Sequence, residues 1–132
     1  MSMNIKEILE SSRTIAVAGL SDKPERDSYQ VADYLLEHGY KIIPVNPMIS
    51  EWKGIKAYGS LKDIEEKIDI VDIFRRSEFV LQIVDEAIEI GAKTVWMQLG
   101  VINEEAAEKA RKAGLNVVMD KCIKIEHSKL NP

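Results

Sequence analysis

Continuous apolar runs alternate with segments of helical periodicity along this chain, and that alternation constrains its fold more than anything else in it. Ile42-Ile43-Pro44-Val45 and Ile70-Val71-Asp72-Ile73-Phe74 are apolar almost throughout rather than at every second residue, which is the pattern of strands covered on both faces. Between them lie segments such as 77–90, where Val80, Ile83, Val84, Ala87 and Ile88 recur at helical spacing with Gly91 beyond the end. Strands that alternate with helices pair in parallel through right-handed crossovers. The expected architecture is α/β: a single doubly wound, mostly parallel Rossmann-like sheet in strand order 3-2-1-4-5-6.

Six strands are expected, at Thr14–Ala18, Lys41–Val45, Lys56–Tyr58, Asp69–Phe74, Thr94–Gln98 and Asn116–Met119. A short helix with Ile5, Ile8 and Leu9 on one face precedes the first. Others are expected over about 28–38, with Val31, Tyr34 and Leu35 inward and Gly39 as stop, and after Asn103, with Gly114 as stop. Ser28 and Ser77 read as helix caps and secondarily as phosphate donors. Ser60 caps a turn, with Asp63 as a short variant of the capping box. The last dozen residues form a tail whose Ile123, Ile125 and Leu130 pack back.

The 132 residues suit one domain over 1–132, with 45% hydrophobic and 30% charged residues typical of a soluble protein. With 18 basic against 22 acidic residues the net charge is −4, which argues against bulk attraction to nucleic acid. No apolar run approaches the ~20 residues that span a bilayer, and the polar N-terminus lacks a signal-peptide core. Cys122 is the only cysteine, so a cytoplasmic, reducing location is expected.

In the expected strand order the first and fourth strands are neighbours, and a crevice opens above their C-terminal ends. Two loops face one another there: Gly19 to Ser28, and Phe74-Arg75-Arg76-Ser77. A strand that empties through glycine onto a helix start makes an anion site, because first-turn N–H groups lack intrahelical partners. Gly19 takes the first position of a dinucleotide fingerprint, but Ser21 replaces the second glycine and Pro24 stands at the third. The second strand ends in Val45-Asn46-Pro47, without the carboxylate that accepts ribose hydroxyls in NAD sites. Lys23, Arg26, Arg75 and Arg76 surround the crevice instead, which suits a ligand with more phosphate charge. NADP and coenzyme A both qualify. Phe74 is either a core residue at a strand end or, favoured by its place at the crevice, a flat apolar face for an adenine.

The motifs Val17-Ala18-Gly19-Leu20-Ser21-Asp22-Lys23-Pro24, Ile43-Pro44-Val45-Asn46-Pro47, Val71-Asp72-Ile73-Phe74-Arg75, Trp96-Met97-Gln98-Leu99-Gly100-Val101-Ile102-Asn103 and Val118-Met119-Asp120-Lys121-Cys122 occur in that order. In these the chain resembles the stand-alone CoA-binding proteins, which are similar to the N-terminal CoA-binding domain of the succinyl-CoA synthetase alpha subunit. The resemblance covers nearly the whole chain. It implies that Gly19, Ser21 and Lys23 hold phosphate, with Asp22 and Val45 in the same binding set. Asn46 and Pro47 shape the nucleotide side, Phe74 and Arg75 close over the ligand, and Gln98 and Gly100 lie on the rim. It implies coenzyme A or acyl-CoA as ligand. Catalysis does not carry over, since the synthetases place their phosphorylated histidine in a second domain.

The residues themselves assemble no paired-carboxylate site, Ser-His-Asp order or metal-ligand spacing. His38 and His127 have no expected partner, and Asp72 needs a backbone N–H or an arginine. Cys122 is expected on the ligand rim, either as a packed inert thiol or as a thiol that meets the pantetheine end of coenzyme A. The leading expectation is a small CoA-binding module without its own catalytic groups, acting as carrier, sensor or partner subunit. An NAD(P)-binding redox protein on the same fold and an interaction domain with an empty site are the alternatives. Protein partners and oligomeric state are left open.

Overall fold

The computed structural model describes residues 3–130. Its central sheet is five-stranded and parallel, built from β1 (Thr14–Ala18), β2 (Lys41–Val45), β5 (Ile70–Ile73), β6 (Thr94–Met97) and β7 (Asn116–Val118) in order β2-β1-β5-β6-β7. The helices are α1 (Ile5–Ser11), α2 (Asp27–Glu37), α3 (Ser77–Glu89), α4 (Glu104–Lys112) and α5 (Ile123–Ser128). They cover both faces, as the continuous apolar strands require. Val71 and Ile73 of β5 join Ala16, Ile43, Val95 and Met97 on the face packed by Val80 and Val84 of α3 and Ala106, Ala107 and Ala110 of α4. Ile70 lies on the opposite face with Ile15, Val17, Ile42 and Trp96, beneath Leu9 of α1, Val31 and Leu35 of α2, and Ile123 of α5.

The fold class is the expected one; the outermost strand is not. β3 (Glu51–Trp52) and β4 (Ile55–Lys56) pair with each other as a separate antiparallel hairpin across Lys53 and Gly54, both at positive φ. Of the expected edge strand over 56–58, Tyr58 alone pairs with the main sheet, through a parallel bridge to Val45. Its N–H donates to Pro44 O at 2.9 Å, and its carbonyl accepts from Asn46 N at 2.8 Å. Pro44 explains why pairing stops there: it accepts on that edge but has no N–H to continue the ladder.

Asn103 caps α4 as expected, accepting from Ala106 N at 3.0 Å. Glu104 and Glu105 in the first turn and Lys109, Arg111 and Lys112 in the last complement the helix dipole. Ser60 accepts from Lys62 N and caps a single 3-10 turn over Leu61–Asp63, while its hydroxyl donates to Glu86 at 2.9 Å. The expected tail is α5, with Ile123 buried and Ile125 exposed to solvent. Among the described residues no helix is long and apolar enough to cross a membrane.

Candidate functional site

β1 is flanked by β2 on one side and β5 on the other, so chain connections leave the β1–β5 junction in opposite directions and their loops part above it. Gly19 closes β1 at that junction with φ +90°, and a side chain there would place Cβ 2.4 Å from Phe74 O and 3.0 Å from Arg75 Cδ. Its N–H donates to Val45 O at 2.8 Å, and Phe74 N donates to Ala18 O at 2.9 Å. Glycine is what lets the loops after β1 and β5 approach this closely.

The loop after Gly19 is braced from within. Ser28 is buried, and its Oγ accepts from Ser21 N at 3.0 Å. Ser21 Oγ accepts from Lys23 N at 3.1 Å, and Arg26 N donates to Lys23 O at 3.0 Å. Both serine hydroxyls act here as acceptors, leaving their own protons for an outside acceptor. The N-cap of α2 is Arg26, whose side chain does not cap, so Ser28 is a loop brace rather than the expected cap. First-turn N–H groups of α2 therefore remain available beside the positive end of its dipole. Ser77 is not a cap either. Arg76 is the N-cap of α3, and Ser77 Oγ accepts from Ile102 N at 3.1 Å, tying the loops after β5 and β6 together.

Three cavities adjoin along this edge of the sheet. The central one, about 650 Å³, is lined by Gly19, Ser21, Lys23, Glu25, Arg26, Asp27, Ser28 and Phe74. Toward β2 and α3, sharing Gly19, lies one of about 420 Å³ whose walls include Val45, Pro47, Gly59, Arg75 and Phe79. Toward β6 and α5, sharing Asp27 and Phe74, lies one of about 470 Å³ with Val31, Gln98, Val101, Cys122 and Ile125 among its walls. Together they form one trough. The centre is mainly polar, whereas the end toward α5 presents mainly apolar surface.

Most of the residues singled out from the sequence converge on this trough, but four line none of its segments. Asp22 is exposed on the loop, and Arg76 is exposed at the start of α3. Gly100 turns away at φ +84°, donating its N–H to Asp120 at 2.7 Å. Asn46 is spent on structure: its Nδ2 donates to Leu20 O at 2.9 Å, and its Oδ1 accepts from Met48 N at 2.8 Å. It locks the loop after β2 to the loop after β1. Gln98 is buried in the trough wall and accepts from Ile123 N at 3.1 Å, which anchors α5. Cys122 is half-buried in the same wall.

Sequence reasoning missed Phe79, whose exposed ring lies 4.8 Å from the Arg75 guanidinium carbon. The signal was the four-residue spacing from Arg75 across a helix start, which brings two side chains to one face. It also missed Lys124 and Ile125, because a six-residue helix leaves too few turns for a periodicity to register.

Two other clusters depart from expectation. Asp72 is fully buried between its register partners Val17 and Trp96, and neither carboxylate oxygen has a hydrogen-bond partner among the described residues. Burial pushes its pKa well above the ordinary aspartate value, so the neutral acid is favoured. His38 and His127 do find partners. Tyr34 Oη lies 2.8 Å from His127 Nδ1, the His38 ring stacks on Tyr34 at 3.9 Å, and the two imidazoles are 5.3 Å apart. Burial, and then the charge His38 can carry, lower the His127 pKa. The two histidines line a separate cavity with Glu10, Arg13 and Leu130.

Comparison with known proteins bears on the trough. A family model described as CoA binding domain matches residues 13–128. The chain is 49% identical over 124 residues to the uncharacterized protein YneT of Bacillus subtilis (strain 168), covering 94% of this chain and 92% of that one. It is 34% identical over 132 residues to the alpha subunit of ADP-forming acetate–CoA ligase II of Pyrococcus furiosus, covering 90% of this chain but 29% of the subunit. Among solved structures, a hypothetical protein from Pyrococcus horikoshii OT3 superposes with a TM-score of 0.94 at 46% identity, covering 97% of this chain and 90% of that one.

Proposed function

The chain belongs to the CoA binding domain family, and on that footing we propose that its trough holds coenzyme A, with the pyrophosphate against the uncapped N-terminus of α2. The observation that carries this is the change in chemistry along the trough. Its polar centre offers first-turn N–H groups, the Ser21 and Ser28 hydroxyls, Lys23 and Arg26, which is a donor set for phosphate oxygens. Toward β2, Val45 and Pro47 give an apolar wall, and Arg75 over Phe79 supplies a cation and a flat ring for a phosphorylated adenosine. Toward α5, Phe74, Gln98 and Cys122 line the space for an uncharged arm.

The trough residues contribute donors, cations and shape, so the proposed role is a binding module that supplies no catalytic group of its own. The ligase subunit it resembles is more than three times longer than the matched segment. What that ligase does as a whole is therefore not assigned to this chain. A reducing, cytoplasmic setting would keep Cys122 available as a thiol.

Titration calorimetry with coenzyme A and NAD tests the proposal. Coenzyme A is expected to bind at least tenfold tighter, a difference of about 1.4 kcal/mol. The extra ribose phosphate meets cations, and no carboxylate ends β2 to accept a ribose diol. Equal affinities, or tighter NAD, would remove the proposal.

A further inference from the structure

We infer that the α5 end of the trough is an acyl-chain subsite, and that the ligand held best is coenzyme A carrying a medium-length saturated acyl group rather than the free thiol. The inference rests on the coenzyme A reading of the trough and extends it to the form of the ligand.

Of the three adjoining segments, the one toward α5 is the mainly apolar one, although the pantetheine arm it would receive is itself rich in amide and hydroxyl groups. Its apolar walls continue outward to residues that stand in solvent. Leu99, at 66% exposed, and Ile125, at 48%, stand at its margin, and Val101 completes the wall. Ile102, also exposed, follows on the same loop. The loop is not held out by chance. Gln98 is fixed by Ile123 N, Val101 N donates to Gln98 O at 2.8 Å, and Ile102 N is tied to Ser77.

Braced apolar side chains left in water next to a ligand groove are stabilised when an apolar group covers them. The thiol end of the arm is where coenzyme A bears its acyl group. A hydrocarbon chain leaving a thioester near Cys122 would run onto Leu99 and Ile125. The walls carry one cation, Lys124, and one carboxylate, Asp27, and the latter marks the junction with the polar centre. An acyl group that ends in a second carboxylate gains less there than one that ends in a methyl group.

The test is a calorimetric series with coenzyme A, acetyl-CoA, butyryl-CoA and octanoyl-CoA, each below its micellar concentration. It is run on the intact chain and on the Leu99→Ser, Ile125→Ser double variant. Affinity is expected to rise with chain length, with octanoyl-CoA at least tenfold tighter than coenzyme A. The ratio of the two should fall at least fivefold in the double variant. Both substituted residues are exposed, and a circular-dichroism melt confirms that the variant folds. Coenzyme A binding with no chain-length dependence overturns the inference alone, as does a dependence that the double variant leaves intact. Failure of coenzyme A and every acyl-CoA to bind overturns the coenzyme A reading and the inference with it.

Discussion

Replacing Gly19 by alanine adds one methyl group where the end of β1 meets two segments of the trough. Two costs can be separated. The first is conformational: at φ +90° an L-residue sits in the left-handed region, which costs about 1–2 kcal/mol. The second is steric. The new Cβ would lie 2.4 Å from Phe74 O, a backbone atom at the end of a strand rather than a side chain that can swing aside. Relief requires the chain ends of β1 and β5 to part, which loosens the Phe74 N to Ala18 O hydrogen bond, worth about 1 kcal/mol, and exposes packed surface beneath it. Together the two valued terms give about 2–3 kcal/mol, or roughly 10 °C in Tm for a chain of this size.

Gly91 supplies the control. It has φ +76° but nothing within 4 Å of an added Cβ, so Gly91→Ala should carry the conformational cost alone and lower Tm by only a few degrees. Thermal melts of the two variants and the parent, followed by circular dichroism, read both effects. If Gly19→Ala melts within a degree or two of Gly91→Ala, the close approach of the two loops is wrong and the trough geometry built on it fails.

Arg75→Ala should weaken coenzyme A binding roughly tenfold or more, the size of a lost charge-assisted contact, while leaving the melt of the empty protein unchanged; calorimetry showing full affinity would make Arg75 a solvated surface charge. Asp72 holds its proton in the folded chain and loses it on unfolding, so its contribution to stability declines as pH rises from about 4 through the raised value. Asp72→Asn should therefore gain on the parent as pH increases in urea melts, and parallel slopes would refute this. The depressed pKa of His127 has the opposite sense: the stability it confers is present above the ordinary histidine value and lost as pH falls through the lowered one. His127→Gln should show a flatter loss between about pH 7 and pH 5 than the parent does.

The fold was legible wherever burial on both faces left a run without polar interruptions, as at Ile42–Val45 and Ile70–Ile73. It was least legible where backbone chemistry decided the outcome. Pro44 reads as part of an apolar strand, yet its missing N–H is what reduces the neighbouring edge strand to the single Tyr58 bridge. The Lys53-Gly54 pair was the hairpin signal within a segment read as irregular. In the trough, topology alone brought the loop carrying Gly19, Ser21, Lys23 and Arg26 beside Phe74 and Arg75, because a parallel sheet sends the loops after β1 and β5 to one edge. The roles of Ser28, Ser77 and Asn46 were not legible, since Ser28 braces its own loop through Ser21 N, while Ser77 and Asn46 bond to the loops after β6 and β1. Asp72 was expected to find a partner and has none among the described residues, a result of packing between Val17 and Trp96 that no local pattern encodes.

The location of the ligand is the central claim, and amide chemical-shift mapping of the 15N-labelled chain titrated with coenzyme A tests it most directly. The largest shifts are expected at Gly19–Tyr29, at Phe74–Phe79 and at Gln98–Val101, with smaller ones at Cys122–Ile125, because these backbone segments line the trough. Little change is expected at His38, Gly39 and Tyr40, which line the separate histidine cavity. Shifts centred on that cavity, or none at any coenzyme A concentration reached, would contradict the account.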